Sequence, residues 1–357
     1  MNDSPRAMIY GANGYTGQLI ARLAVERGMR PTLAGRNHEA IAALAGELDC
    51  PFLSFSLENA AQIAPHLKDV AAVMHCAGPF SQTARQMMDA CITTGTDYLD
   101  ITGEIDVILA GVARSERAIG AEVALLPAVG FDVVPSDCLA AMLADRLPGA
   151  SVLQLAFVGG GGLSAGTAKT MFESLPHGGR VRIDGEIRDV PNAWKTMEVP
   201  FRSGKVHCMT IPWGDVASAY YSTGIPNIEV YTAASRKQVA RVRRFGFLLP
   251  LLGFKPIQKL GQSRIGKKVK GPSDDVRLKA RSSLWGRVSD DQGKSIAATL
   301  ETLSGYELTA QTSVAALERT LAREVPRGFS TASQAFGKEF ILSFPDTDIV
   351  WAEPVAV

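Results

Sequence analysis

Three glycines at every third position, Gly11, Gly14 and Gly17, separate a short apolar run from an amphipathic stretch. The run is Ala7-Met8-Ile9-Tyr10, and the stretch carries Leu19, Ile20, Leu23, Ala24 and Val25 on one face. Strand, glycine-rich turn and helix N-terminus together form the structure that holds a dinucleotide pyrophosphate. Glycine permits the tight turn, lets backbone N–H groups approach the phosphates, and lets the helix pack on the strand. Asn13, Tyr15 and Thr16 fall on the rim of this cradle. The spacing differs by one residue from the commoner G-x-G-x-x-G, and a glycine turn without a ligand is the plainer alternative. The context, after a strand and before a helix, favours the ligand.

Arg36 then selects the nucleotide. It lies 22 residues beyond Gly14, close to the offset at which an acidic residue grips the ribose 2′-hydroxyl of NAD. The second strand, Pro31 to Ala34, instead ends in Gly35-Arg36, with no carboxylate before Glu39. A guanidinium matches a 2′-phosphate and bonds it twice, so the expected cofactor is NADP(H) rather than NAD(H). The competing reading of Arg36 is a solvated loop charge.

A chain of 357 residues, 46% apolar and 20% charged, suffices for two domains with cores of their own. Its five cysteines (Cys50, Cys76, Cys91, Cys138, Cys208) are widely spaced without a zinc-type pattern, so neither a disulfide framework nor a metal site is expected. Residues 1–6 are polar and pass straight into the first strand, and no run of eighteen apolar residues occurs. A cytoplasmic protein, peripheral at a membrane at most, is the expectation.

The net charge of +1 conceals an asymmetry. Residues 236–270 hold eleven Lys or Arg and no Asp or Glu, leaving 26 Lys and Arg against 36 Asp and Glu elsewhere. Within them runs Phe245-Gly246-Phe247-Leu248-Leu249-Pro250-Leu251-Leu252-Gly253-Phe254, too short to cross a bilayer. One reading is a lid buried in the second domain with a solvated basic face. The other is an interfacial lid whose Phe245, Phe247, Leu248, Leu251, Leu252 and Phe254 shelter an acyl chain or insert. Arg241, Arg243, Arg244, Lys255 and Lys259 would then hold an anionic membrane surface or an acidic acyl carrier protein. Nucleic acid is not expected, because few aromatics are interleaved with the charges.

Strands and helices alternate through the first 130 residues, as in a doubly wound parallel sheet. Helices are expected over 39–48, 60–67, 83–93 and 105–119, and strands over 52–55, 70–76, 98–101 and 123–128. Ligands of such sheets lie outside the carboxyl ends of the strands. Those ends are Gly11 to Gly17, Gly35-Arg36, Ser56, Ala77-Gly78-Pro79-Phe80, Thr102 to Glu104 and Gly130 to Asp132.

Five motifs in order carry a family resemblance: Gly11 to Gly17, Ala34-Gly35-Arg36, Cys76 to Phe80, Gly95 to Glu104, and Gly130 to Asp137. Together they resemble the saccharopine dehydrogenase-like oxidoreductases, most similarly the branch of trans-acting enoyl reductases. The resemblance is clear over 7–140 and weaker beyond. It implies a Rossmann domain, an NADP(H) site along the strand tips, and a second α/β domain closing over the nicotinamide. His75 stands where the resemblance leads one to expect Asn, read here as a packed strand residue.

The expected fold is therefore α/β, a Rossmann doubly wound parallel sheet with a second α+β domain built on a mostly antiparallel sheet. Domain boundaries are placed at 1–130, 131–325 (substrate or dimerisation, carrying 236–270) and 326–357, a closing segment returning to the first domain. In the second domain, 151–158 reads as a strand ending in the glycine run 159–162, and 164–174 as a helix capped by Ser164. Hairpins are expected for 180–183 with 187–190 around Asp184-Gly185, and for 275–288 with 294–303. Helices over 307–323 and 330–340 close the chain.

Hydride transfer often needs a proton donor beside the cofactor. Asp132, Tyr98 and Glu104 are the catalytic candidates, with Asp100 and Asp137 nearby in sequence and Lys169 and His177 weaker. Capping a helix is the alternative for Asp132, and ordering a loop for Glu104. The expected activity is NADPH-dependent reduction of a C=C bond in a hydrophobic or carrier-bound acyl substrate. An imine reductase using Lys169, Arg180, Arg182 and Arg202 for carboxylates is a second reading, and a non-catalytic NADP-binding protein at a membrane surface a third. A homodimer is compatible with all three.

Overall fold

The computed structural model describes residues 6–160, 162, 164–269 and 271–352, which form two compact units. One takes the chain up to Val134 together with Tyr306–Phe336, and the other takes Pro135–Gly305 and the chain from Gly337 on. This differs from the boundaries read from sequence. The helix after residue 304 clusters with the first unit, not the second, and only part of the closing segment returns there.

The first unit begins β1 (Ala7–Tyr10), α1 (Tyr15–Glu26), β2 (Thr32–Gly35), α2 (His38–Leu48), β3 (Phe52–Ser54) and α3 (Ala60–Ile63). It continues β4 (Ala72–His75), α4 (Phe80–Thr94), β5 (Asp97–Asp100), α5 (Ile105–Val112), α6 (Ser115–Gly120) and β6 (Ala124–Leu126). The second unit follows with α7 (Val134–Arg146), β7 (Val152–Val158), α8 (Ala165–Ser174), β8 (Gly179–Ile183), β9 (Glu186–Val190), β10 (Thr196–Phe201) and β11 (Gly204–Thr210). After these come α9 (Asp215–Thr223), β12 (Asn227–Ala233), α10 (Arg236–Phe245), α11 (Lys255–Lys268), α12 (Asp274–Lys279), β13 (Arg281–Ser289) and β14 (Ser295–Leu303). The chain then returns to the first unit as α13 (Gly305–Leu321), β15 (Gly328–Phe329) and α14 (Ala332–Phe336), and ends on β16 (Asp348–Trp351).

The first sheet is parallel throughout, in the order β15-β6-β5-β4-β1-β2-β3. β1 and β4 are buried at every position because helices cover both faces, which explains their continuous apolar sequence. Met8, Val73, Met87, Leu67 and Leu125 pack together in this core. Strand order reverses between β1 and β4, where ligands of such sheets bind. The helix expected over 105–119 is two, α5 and α6, broken around Ala113-Arg114. The Arg114 guanidinium at this break turns to the Asp89 carboxylate of α4 and to the Ala110 carbonyl. The expected helix 330–340 shrinks to α14, ended by Gly337 at φ 93.

The second sheet runs β10-β11-β12-β7-β13-β14-β16, antiparallel except for the β12/β7 pair. β8 and β9 form the expected hairpin, with Asp184 and Gly185 both at positive φ, the conformation of a two-residue turn. The second expected hairpin forms from 281 onward, but residues 274–279 are the helix α12 rather than strand. Ser273 stands at its N-cap position, and Asp274 and Asp275 lie in its first turn, where the helix dipole favours acids. Ser164 caps α8 as expected, accepting from the Thr167 N–H at 3.2 Å. Gly161 of the glycine run lies outside the described residues.

α7 crosses the second sheet closely at Gly286, where a β-carbon would lie 2.6 Å from Leu143 Cδ1 and 3.1 Å from Leu139 Cδ2. Gly286→Val should destabilise the second unit by about 1–3 kcal/mol through overpacking. All four tryptophans, Trp194, Trp213, Trp285 and Trp351, belong to this unit. Thermal unfolding followed by tryptophan fluorescence therefore reports it, and an unchanged midpoint would refute the contact.

Candidate functional site

The turn between β1 and α1 is shaped by backbone contact. Gly11 has φ 82, and a β-carbon there would lie 2.8 Å from the Ala77 amide nitrogen. A β-carbon on Gly17 would lie 2.2 Å from the Gly11 carbonyl oxygen, and one on Gly14 would lie 3.2 Å from the same atom. Gly14 is the N-cap of α1, makes no side-chain cap, and is followed by a first turn without an acid. The positive end of the helix dipole is therefore left for an external anion. Asn13 lies against Gly35, where a β-carbon would be 3.0 Å from its Oδ1. Tyr15 meets Tyr306 edge to face with ring centroids 5.0 Å apart, and Thr16 is half-buried.

Arg36 is exposed at the tip of β2 and makes no ion pair among the described residues. Its charge is felt inside the sheet: burial pushes the Tyr10 phenol up to about 12, and Arg36 opposes that rise. A glycine cradle with an unopposed helix end and a guanidinium beyond it fits a pyrophosphate carrying a 2′-phosphorylated ribose. Ser56 is exposed at the end of the third strand's loop and donates to Glu58 Oε1 at 3.2 Å.

Ala77, Gly78 and Pro79 follow β4, the Gly78–Pro79 peptide is cis, and Phe80 is buried at the start of α4. Pro79 is the N-cap of α4 and offers no side-chain cap. Glu104 supplies one from the β5 loop, accepting the N–H of Phe80 at 2.9 Å and of Ser81 at 2.7 Å. Its carboxylate thus orders the Ala77–Phe80 loop, the alternative role read from sequence. His75 is fully buried among Tyr10, Phe80 and Tyr98. The Thr83 hydroxyl donates to the Ala77 carbonyl at 2.7 Å and so accepts from His75 Nε2 at 3.0 Å. Burial pushes the imidazole down to about 3, so His75 is a neutral, packed strand residue.

Tyr98 is also fully buried, and its hydroxyl donates to Asp100 Oδ2 at 2.6 Å. The other Asp100 oxygen accepts the N–H of Thr102 at 2.9 Å and of Ala128 at 2.8 Å. Burial pushes Asp100 up to about 6, against these hydrogen bonds. Tyr98 faces inward and positions Asp100, whereas Asp132 lies in the loop after β6. Its Oδ2 would be 2.9 Å from a β-carbon on Gly103, so its carboxyl rests on the Gly103 backbone. Burial pushes Asp132 up to about 7, so its carboxyl changes charge near neutral pH. The Asp137 side chain is buried in α7.

Sequence reasoning missed the supports from α13. Thr309 accepts the Phe131 N–H at 3.0 Å, and Thr312 donates to the Val129 carbonyl at 2.8 Å. They fasten the loop that carries Asp132, and nothing local in their sequence links them to a tip some 180 residues earlier. Lys169 and His177 belong to the second unit, where His177 lines a cavity of about 550 Å³ with Trp194, Val242, Arg243, Phe247 and Pro250. All five cysteines are free, and no cluster of metal-ligating side chains occurs among the described residues.

The family model described as the saccharopine dehydrogenase NADP binding domain matches residues 7–123. A trans-acting enoyl reductase of Mycobacterium leprae is 34% identical over 140 residues, covering 36% of this chain and 33% of that protein. A human saccharopine dehydrogenase-like oxidoreductase is 27% identical over 150 residues, covering 36% of this chain and 35% of that protein. The chain thus spans about a third of the length of these curated relatives. Across both units, apo saccharopine dehydrogenase (L-Glu forming) of Saccharomyces cerevisiae shares the fold, with a TM-score of 0.67, 11% identity, and coverage of 98% of this chain and 100% of that one.

Arg36→Ala should weaken NADPH binding by about 1.5–3 kcal/mol and leave NADH binding unchanged. Titration by cofactor fluorescence measures both, and retained NADPH preference would remove Arg36 from the site. Glu104→Ala should cost the first unit about 1–2 kcal/mol and speed hydrogen exchange at Phe80 and Ser81.

Proposed function

We propose, from a first unit that matches the saccharopine dehydrogenase NADP binding domain over residues 7–123, that this protein is an NADPH-dependent reductase of a C=C bond in a hydrophobic acyl thioester. The oxidoreductase character and the cofactor come with the family. The cradle of Gly11, Gly14 and Gly17 at the strand reversal is the observation that carries the cofactor site, and Arg36 carries its phosphate selectivity. The enoyl assignment draws on the printed activity of the mycobacterial relatives and on the apolar segment of the second unit.

NADPH, when bound, supplies the hydride for one carbon of the double bond. The chain's own residues do the rest. Gly11 to Gly17 and the N-terminus of α1 hold the pyrophosphate, and Arg36 holds the 2′-phosphate. Glu104 fixes the Ala77–Phe80 loop beside the cradle. Asp132, protonated up to about pH 7, delivers the proton that the second carbon takes as the double bond is reduced. The imine reading asks for free cations to grip carboxylates, and two of its four candidates are committed elsewhere. Arg182 donates to the Val216 and Gly185 carbonyls and stacks on Tyr220. Arg202 pairs with Asp348 at 2.7 Å.

NADPH consumption against enoyl thioesters, and against mixtures of amino acid and aldehyde, tests the assignment. Reduction of the thioester is expected; activity on neither mixture with cofactor bound would leave a non-catalytic NADP-binding protein. The turnover rate should be flat below about pH 7 and fall above it, because Asp132 must carry its proton. Asp132→Asn should remove that limb and slow turnover on the order of 10²-fold. The same group sets a stability trend. Its raised pKa favours the fold fully below the ordinary carboxylate range, an advantage lost as pH rises through about 7, so Asp132→Asn should be the more stable protein in alkali.

A further inference from the structure

The basic stretch of the second unit folds as α10, a 3₁₀ segment Gly246–Gly253 and α11. It is anchored by one face only. Val239 of α10 is buried against Ala193 and Ala234, and α11 is fastened to α8 where Gly261 admits the Phe172 ring. A β-carbon on Gly261 would lie 2.3 Å from that ring. The other face is uncovered: Phe247 is 75% exposed, Phe254 59%, Leu251 51%, Phe245 48% and Leu248 43%. Met171 and Leu175 of the adjoining α8 region, also exposed, extend the patch. The same stretch carries Lys237, Arg241, Arg244, Lys259, Arg264 and Lys268 on α10 and α11, none in an ion pair among the described residues. Arg236 does pair, with Glu198 at 3.0 Å, and the Lys255 side chain lies outside the described residues.

We infer that this face docks on an anionic lipid surface, with the 3₁₀ segment lying in the headgroup boundary and the surrounding cations on lipid phosphates. The inference goes beyond the reductase reading and does not depend on it. Charge complementarity selects the occupant. A second copy of the same face would bring like charges together. Apolar side chains that protrude, as those of Phe245, Leu251 and Phe254 do, suit a fluid boundary that closes around each of them. The 3₁₀ segment, eight residues with Pro250 inside, cannot cross a bilayer, and among the described residues no helix is long and apolar enough to do so. Interfacial docking combines apolar insertion with attraction that salt weakens.

The test is co-sedimentation of the whole protein with vesicles of phosphatidylcholine alone and with phosphatidylglycerol added, each at low and high salt. Binding is expected only to the anionic vesicles, with release by salt. The Arg241→Gln/Arg244→Gln variant should partition about 25-fold more weakly, about fivefold per charge. The Phe247→Ser/Phe254→Ser variant should lose binding as well. Both variants should keep the tryptophan spectrum and NADPH affinity, which report folding of the two units without any acyl substrate. No binding to anionic vesicles at low salt would overturn the inference. So would binding that both variants retain, capture of an acidic acyl carrier protein with no vesicle binding, or self-association abolished by Phe247→Ser/Phe254→Ser.

Discussion

The loops after β1 and β4 touch, and the rest of the candidate cofactor site is arranged around that contact. The Gly11 backbone lies so near the Ala77 amide that no β-carbon fits between them. Gly17, pressed on the Gly11 carbonyl, then brings the first turn of α1 directly over the strand end. Each contact is a packing requirement of the backbone, and each also suits the proposed ligand. Removing a side chain from the turn leaves the helix's first N–H donors as the chemical surface on offer. A larger residue at position 17 would push α1 off its strand, displacing those donors and the site with them.

The tips further along the sheet are held by buried carboxylates. Asp97 and Asp100 stand at opposite ends of β5, and both reach across to β6. Asp97 accepts the Ala124 N–H at 2.8 Å and pairs with Arg327 at 3.0 Å, while Asp100 accepts the Ala128 N–H. β6 has only three residues, so these bonds to its flanks add to a short ladder in setting its register. The arrangement has a cost, since burial raises the pKa of both acids and works against their charged forms. It is tolerated because each carboxylate has several donors, and a charged acceptor with donors in place contributes about 1.5–3 kcal/mol per bond. The loop that presents Asp132 leaves directly from this strand, so its position depends on the same two acids.

What could be read from the sequence follows how local each cause is. The glycine turn, the alternation of strands and helices and the Asp184-Gly185 hairpin depend on near neighbours, and each was legible. The placement of Arg36 at the tip of β2 was legible because its offset from the turn is set by one helix and one strand. The supports of the site were not. Glu104 was named as a candidate acid, but its capping of α4 depends on two loops meeting 23 and 24 residues apart. Thr309 and Thr312 act on residues 129 and 131 through a helix that returns to the first unit after the whole second unit has been traversed. The misread strand at 275–280 has a simpler cause: alternating Val276 and Leu278 satisfy a period of two, while Ser273 and two aspartates favour a short helix.

The exposed apolar residues of the second unit are no poorly packed core turned outward. A segment that had merely failed to bury its side chains would show both faces loosely held. Here the inner face is specific: Phe172 fits over Gly261, and Gln258 Nε2 donates to the Leu252 carbonyl at 2.8 Å, tying α11 to the 3₁₀ segment. Arg243 donates to the Ala193 and Trp194 carbonyls, at 3.0 and 3.2 Å, and so fixes α10 to the loop before β10. With the backbone so fastened, Phe247 and Phe254 stay largely exposed. Their exposure is therefore a consequence of an ordered inner face. The cations of this stretch, six of them without an ion pair among the described residues, oppose association with another basic surface and favour an anionic one.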